Sequence, residues 1–365
     1  MRVLVVNAGS SSLKLRLVDG DDRVEATADL PADGGSFDDD ALADALDGMG
    51  RADAVGHRVV HGGPDLVAPT LVTPALTERL RGLVPLAPLH EPAALAGMAA
   101  VGLHRPGIPN VACFDTAFHA SLPAAARTYP LPRAWREGFG LRRYGFHGLS
   151  HAWAAMRGAE LLGRPPEALR LVTCHLGAGA SLAAVRGGRS VDTTMGFTPL
   201  EGLMMATRAG STDPGLLLWL QEEGGVALAD LRQGLEHGSG LVGLAGTADM
   251  REVVERAAAG EADAGLALDV FVHRARAGVA AMAAALDGVD GVVLTGGIAE
   301  HAPVVRRRIV EGLGFLGLRL DLTANEDAAG DAILSAPGSP AGVVVVEARE
   351  DLQIAREVRR LLAGP

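Results

Sequence analysis

Apolar and polar positions follow two rhythms along this chain. Val3–Val6 is a run of four apolar residues and reads as a buried strand; residues 13–18 (LKLRLV) alternate with period two as a second strand after a tight turn. Residues 19–53 are acidic, rich in Gly and Asp and weakly periodic, which predicts surface strands and loops. Further strands are expected near 54–60, 110–114, 169–174, 291–295 and 342–346. Helices are expected at 75–84, 92–103, 151–163, from about 302 and at about 350–363, with helical patterns dominating 212–286. The early strand–loop–strand and the later strand–glycine loop–helix units predict a mostly parallel α/β architecture. A hydroxyl- or glycine-rich loop follows a buried strand after Val6, after Cys174 and after Thr295. No repeat is visible by identity, yet similar loops in both halves point to a duplicated α/β unit with a cleft between the copies.

Length and charge narrow the class. At 365 residues the chain exceeds what one core usually serves, so two domains are expected. Hydrophobic residues at 48% and charged residues at 21% exclude a disordered chain. Asp and Glu number 44 against 33 Lys and Arg, a net charge of −11. That balance argues against a nucleic-acid or anionic-membrane binder, but leaves room for a local basic pocket holding a small anion. The opening MRVLVVNAGSSS is too short in apolar residues for a signal peptide. His273, Arg274 and Arg276 interrupt the alanine-rich 264–286, the segment nearest to a membrane span. Two cysteines, Cys113 and Cys174, fit neither a disulfide framework nor a cysteine metal site. A cytoplasmic protein is the expectation.

Several positions carry candidate chemistry. Lys14 is the only lysine among the 33 basic residues. It is either a chance survivor on a solvated strand or a point charge for a phosphate. The loop Asn7 to Lys14, with Ser10 and Ser12, reads as a phosphate cradle or as a plain polar hairpin. His175-Leu176-Gly177-Ala178-Gly179 reads as a second cradle or as a glycine turn with a core histidine. Gly296-Gly297, after a strand and before a helix, suits a nucleotide at a helix N-terminus, or is merely a tight turn. Arg58 in GHRVVHGG and Arg208 after FTPLEGLMM lie in apolar segments, where a guanidinium requires a buried anion as partner. Asp115 follows a strand, where catalytic acids often sit; otherwise it caps residues 116–120. His147 and His151 form an HxxxH that would share a helical face. No HExxH accompanies it, so zinc is not expected.

Taken together, these segments resemble the acetate kinase family along nearly the whole chain. The resemblance rests on NAGSSSLK at 7–14, GHRVVHGG at 56–63, PLAPLH at 85–90, FDTAFH at 114–119 and YGFHGLSH at 144–151. HLGAGAS at 175–181, DTTMGFTPLEGLMMATRAG at 192–210 and TGGIAE at 295–300 add to it. It implies the duplicated actin-like, sugar-kinase-like ATPase fold, with two domains around a cleft: residues 1–118 plus 352–365, and a nucleotide-binding 119–351 carrying the dimerisation surface of a homodimer. It implies reversible phosphoryl transfer from ATP to acetate, giving ADP and acetyl phosphate, with Mg²⁺ or Mn²⁺. By the same resemblance, Asn7 and Glu350 hold the metal, and Lys14, Ser10 and Ser12 face the phosphates. Arg58 binds the carboxylate; Val60, Leu89, Phe146 and Pro199 form the methyl pocket; Asp115, His147 and Arg208 are catalytic. The nucleotide site would comprise His175, Leu176, Gly177, Ala178 and Gly179, then Asp249, Met250 and Arg251, then Gly297, Ile298, Ala299, Glu300 and His301.

The chemistry agrees with those roles. Charge on three equatorial oxygens needs fixed cations, and a carboxylic acid is already an anion at neutral pH, so Asp115 is expected to organise the metal and Arg208 rather than act as a base. Ala178, Ala299, His301 and Ser211 depart from the family pattern, and these changes are expected to cluster around the nucleotide. Alternatives are a kinase for propionate or another short-chain acid, a pyrophosphate-linked enzyme, or a nucleotide-binding regulator. The intact set Asn7, Arg58, Asp115, His147 and Arg208 weighs against the last.

Overall fold

The computed structural model describes the chain apart from Ser10, Ser11, 33–35, Leu89 and Pro365. It divides into two compact units: Met1–Ala120, Phe146–Trp153 and Arg349–Pro365 form the first, and Ser121–Gly145 with Ala154–Ala348 the second. Phe146–Trp153 thus belongs with the N-terminal residues, although its place in the sequence groups it with 119–351.

In the first unit, the strands β1 (Val3–Ala8), β2 (Ser12–Val18), β3 (Val24–Pro31), β4 (Ala54–Val59), β5 (Thr70–Leu71) and β6 (Asn110–Phe114) form one sheet in the order β3-β2-β1-β4-β6-β5. β1, β4 and β6 are parallel, and β2, β3 and β5 run against their neighbours. The buried run Val3–Val6 explains why β1 is central, since both of its faces are covered. The helices Glu91–His104 and Glu350–Ala363 both pack on β1 and β4. Gly56 permits the close approach of the latter: a Cβ there would meet Ile354 Cγ2 at 2.5 Å and Val358 Cγ2 at 2.8 Å.

The second unit repeats this plan. Its strands β7 (Arg170–Leu176), β8 (Ala180–Arg186), β9 (Arg189–Thr193), β10 (Gly291–Thr295), β11 (Ala332–Ile333) and β12 (Gly342–Val345) lie in the order β9-β8-β7-β10-β12-β11. β7, β10 and β12 are parallel; β8, β9 and β11 are antiparallel to their neighbours. Position for position, order and direction match the first sheet, down to the short edge strand that precedes its partner in the chain. This is the duplication that sequence identity hid.

Two expectations need correction. Residues 19–53 hold β3 and a helix, Asp39–Met49, capped by Asp38 accepting the Ala41 N–H at 2.9 Å. Its Leu42, Leu46 and Met49 enter a core with Leu4, Leu13, Leu15 and Val55. The abundant aspartates disguised this i, i+4, i+7 stripe as surface. The glycine loop after Cys174, moreover, turns into the antiparallel β8 rather than a helix. The alanine-rich helix Ala262–Ala285 buries Phe271, Val272 and Val279 against β7, β8 and β9. Among the described residues no helix is long and apolar enough to cross a membrane.

Candidate active site

In the first unit, three neighbouring parallel strands deliver their C-terminal ends to one place. β1 brings Asn7, β4 brings Arg58, and Asp115 follows β6 directly. Such carboxyl ends are where α/β sheets bind ligands. Glu350 joins them as the first residue of the helix on β1 and β4. Arg58 donates to Asp115 Oδ2 from Nη2 at 2.7 Å and from Nε at 3.1 Å. Its Nη1 lies 3.5 Å from both Asn7 Oδ1 and Glu350 Oε2. The guanidinium is therefore shared among two carboxylates and an amide, with its side chain still 21% exposed against 1% for Asp115.

Burial pushes the Asp115 carboxyl up to about 6. The Arg58 charge opposes that rise, the Glu350 charge adds to it, and the Leu149 N–H at the start of the helix Gly148–Leu161 helps to restrain it. Burial alone would lower the Arg58 guanidinium; Asp115 and Glu350 more than reverse it, so Arg58 stays charged. Asp115 Oδ1 is buried without a hydrogen-bond partner. With Asn7 and Glu350 it makes a set of hard oxygen donors of the kind Mg²⁺ accepts beside substrate phosphates, so these residues fit that ion. Among the described residues no cluster of three His, Cys, Asp or Glu side chains forms a dedicated metal cage.

His147 has φ of 55°, one of three non-glycine residues in the left-handed region among the described residues. The backbone around it is pinned on every side. His119 Nε2 donates to the Phe146 carbonyl at 2.9 Å, the Gly148 N–H donates to the Asp115 carbonyl at 2.9 Å, and the His151 N–H to the His147 carbonyl at 2.9 Å. Such over-determined strain marks functional positions. His147 precedes the helix Gly148–Leu161 rather than riding on it, so His147 and His151 do not share a helical face; His151 packs edge-on against His119 at 5.6 Å. Phe146 is buried against the His61 ring, and Val60 lies half-buried just beyond β4. Leu89 and Ser10 lie outside the described residues. Lys14 is exposed on β2, in register with Asn7 on β1 and Asp29 on β3, and Ser12 opens β2.

Sequence pattern alone does not single out Glu91, fully buried, whose Oε1 accepts the His61 N–H at 2.7 Å. Burial raises it to about 7, the His61 bond opposes this, and the Asp115 charge adds to it. Its one signal is a carboxylate opening the apolar run PAALAGMAA.

The second unit holds the other expected group. A cavity of about 770 Å³ is lined by Gly177, Ala178, Ala248, Asp249, Met250, Arg251, Gly297, Ile298, His301 and Ala302. Three loops far apart in sequence thus meet on one pocket. The Ala178 carbonyl accepts the Ala206 N–H at 3.0 Å, and Asp249 caps the helix Met250–Ala258 while pairing with Arg251 at 2.6 Å. Not every expected residue lines the wall. Leu176 and Ala299 are fully buried, and Glu300 Oε1 accepts the N–H groups of Gly296 and Ala348 at 2.8 and 2.9 Å. His175 and Gly179 flank the first loop without reaching the cavity. His175, Gly179 and Glu300 are each half-buried. Arg208 donates from Nη1 to the Pro199 carbonyl at 2.8 Å and has no carboxylate salt bridge among the described residues. Burial lowers its pKa, partly offset by the Glu236 charge.

The model of the acetokinase family matches residues 40–356. The chain belongs to the acetokinase family. It is 46% identical to the acetate kinase of Synechococcus sp. (strain JA-2-3B'a(2-13)), over all of both chains, and 47% identical to that of Deinococcus radiodurans over 100% of this chain and 99% of the other. The crystal structure of Porphyromonas gingivalis acetate kinase superposes with a TM-score of 0.91 at 35% identity, covering 99% of each chain. A propionate kinase from Francisella tularensis matches with a TM-score of 0.90 at 32% identity and 98% coverage of each chain. Acetokinase-family membership therefore fixes the fold and the phosphotransferase class, while both acyl substrates occur among its structural neighbours.

Proposed function

We propose that this acetokinase-family chain is an ATP-dependent acetate kinase, making acetyl phosphate and ADP reversibly. The observation that carries the reading is Arg58. Its guanidinium, at the ends of three parallel strands, is held by Asp115 and Asn7 and by Glu350 at a helix start, yet keeps part of its surface open. That is a site for a small carboxylate, since the planar fork matches its two oxygens. The acetate oxygen attacks the γ-phosphorus as the bond to the β-phosphate oxygen breaks and ADP leaves. Acetate is already ionised above about pH 5, so no base is required. Asp115 then serves to hold Arg58, and with Asn7 and Glu350 to receive Mg²⁺; the ion supplies neutralising charge for the phosphates. Arg208 and His147 meet the charge on the transferring group. The cavity of the second unit takes the nucleotide.

Val60 keeps the acyl pocket small, which favours acetate over propionate; one methylene is worth only about 1–3 kcal/mol, so propionate turnover overlaps. We also place a homodimer surface on the second unit, where Trp135, Phe139, Leu216, Leu218, Trp219 and Leu228 are between 48% and 74% exposed. Location in the cytoplasm suits two buried free cysteines and the nucleotide substrate.

Hydroxylamine trapping of acyl phosphate, with acetate and propionate against ATP and pyrophosphate, tests the reading. Highest kcat/KM for acetate with ATP supports it. Propionate or pyrophosphate as the better substrate overturns it in favour of that alternative.

A further inference from the structure

Three side chains in the second unit, none of them part of the expected site, close into one polar network. The Tyr129 hydroxyl donates to Glu201 Oε2 at 2.6 Å and accepts the Phe197 N–H at 2.8 Å. Arg143 donates from Nη2 to Glu201 Oε1 at 2.7 Å, and from Nη1 to the carbonyls of Thr194 and Met195 at 3.0 and 2.9 Å. Its guanidinium also lies 5.5 Å from the centre of the Tyr129 ring. Both carboxylate oxygens, both functions of the phenol and the backbone of 194, 195 and 197 are thereby satisfied within one set. Gly196 sits at its centre, where a Cβ would run into the Glu201 carboxylate and the Tyr129 hydroxyl.

The network grips a segment that lies outside regular structure. β9 ends at Thr193, and the next regular element is the helix Pro214–Glu222. Between them the chain carries Pro199, whose carbonyl accepts Arg208 Nη1 at 2.8 Å. Apolar packing could cover such a loop without desolvating an ion pair. A closed set of directional bonds instead fixes where each backbone group points.

We propose that Tyr129, Arg143 and Glu201 are positioning residues that set the Pro199 carbonyl and through it the Arg208 guanidinium, a role that rests on the catalytic part assigned above to Arg208. Tyr129→Phe removes the hydroxyl while keeping the ring. It is expected to lower kcat for acetyl phosphate synthesis by roughly 10- to 100-fold, the scale of a small misplacement of a catalytic group, with KM for ATP within about twofold. The decisive measurement is the double-mutant cycle with Arg208→Ala. If Tyr129 acts through Arg208, the phenylalanine change costs little further kcat once Arg208 is gone. Equal losses in both backgrounds would show a merely structural contribution and overturn the proposal. Should Tyr129→Phe lose its cooperative thermal transition, Glu201→Gln runs the same cycle with the same expected result. An impaired Arg208→Ala alongside fully active Tyr129→Phe and Glu201→Gln sinks the positioning role alone. A fully active Arg208→Ala removes the catalytic assignment, and this proposal with it.

Discussion

Arg58 places two hydrogen bonds on a single oxygen of Asp115, Oδ2, and leaves Oδ1 buried without a partner. The pair is therefore not a closed, bidentate salt bridge of the kind that only supports a fold. Oδ2 takes both contacts from the arginine, and Oδ1 is left for the metal role proposed above. The guanidinium that Asp115 contacts directly is that of Arg58.

The two arginines are expected to fail differently. In the role proposed for it, Arg58 would hold the carboxylate in ground and transition states alike, so Arg58→Ala is expected to raise KM for acetate above all. In its proposed role Arg208 would matter once charge develops, so Arg208→Ala is expected to lower kcat by roughly 10²–10³-fold, as loss of one oxyanion donor does. Lysine restores neither fully, because it lacks the planar fork. Steady-state kinetics of Arg58→Ala, Arg58→Lys, Arg208→Ala and Arg208→Lys check this. An Arg208→Ala enzyme changed only in KM for acetate would refute the assignment.

His147 offers a separate test, because its backbone and its imidazole do different things. At φ of 55° a Cβ is strained and glycine is not. His147→Gly is accordingly expected to be more stable than His147→Ala by about 1 kcal/mol, while both lose kcat with the imidazole. Urea denaturation of the two variants measures the first effect and turnover the second. Equal stability would mean that the pinned backbone relaxes when the side chain is cut.

What the sequence showed and hid follows from the range of the interactions. Strands β1, β4, β6 and β10 were legible because apolar runs bounded by glycine, asparagine or aspartate announce buried strands. Asn7, Arg58 and Asp115 were legible as candidates because each closes or follows such a run. Their geometry was not, since Arg58 and Asp115 are 57 residues apart and only the parallel pairing of β4 with β6 brings them together. The Tyr129–Glu201 bond spans 72 residues and joins two loops, for which no local periodicity exists. The helix Asp39–Met49 was hidden for the opposite reason: its apolar stripe was present but outnumbered by aspartates. Likewise β8, full of alanine, carries little strand propensity and is held by its ladder to β7.

Glu91 makes folding stability depend on pH in a definite direction. Its carboxyl titrates near 4.5 in the unfolded chain and near 7 when folded. Below 4.5 it is neutral in both states and carries no penalty. As the pH rises from 4.5 to 7 the unfolded chain releases its proton and the folded one keeps it, so stability falls; above 7 the penalty is complete. Glu91→Gln retains an oxygen for the His61 N–H without the charge. It is expected to be more stable than the parent at about pH 8 by on the order of 1–3 kcal/mol, a tenfold change in proton affinity being worth about 1.4 kcal/mol, and to converge with it near pH 4. Urea midpoints at the two pH values decide it, and a constant difference would show that the charge is not what Glu91 contributes.

Lys14 is the simplest position to interrogate, since no other lysine competes for a reagent. Its side chain is exposed on β2, directly across from Asn7 in the β1–β2 register, so an amine-selective acylating reagent reaches it in the folded protein. Only Lys14 and the N-terminal amine should be modified, which peptide mapping resolves. If the ammonium faces the nucleotide phosphates, ATP slows labelling of Lys14 and leaves the N-terminus unaffected, whereas acetate protects neither. Lys14→Ala is then expected to raise KM for ATP more than KM for acetate, because the contact removed is to a phosphate. Equal labelling with and without ATP would place Lys14 among the solvated residues of an ordinary antiparallel strand.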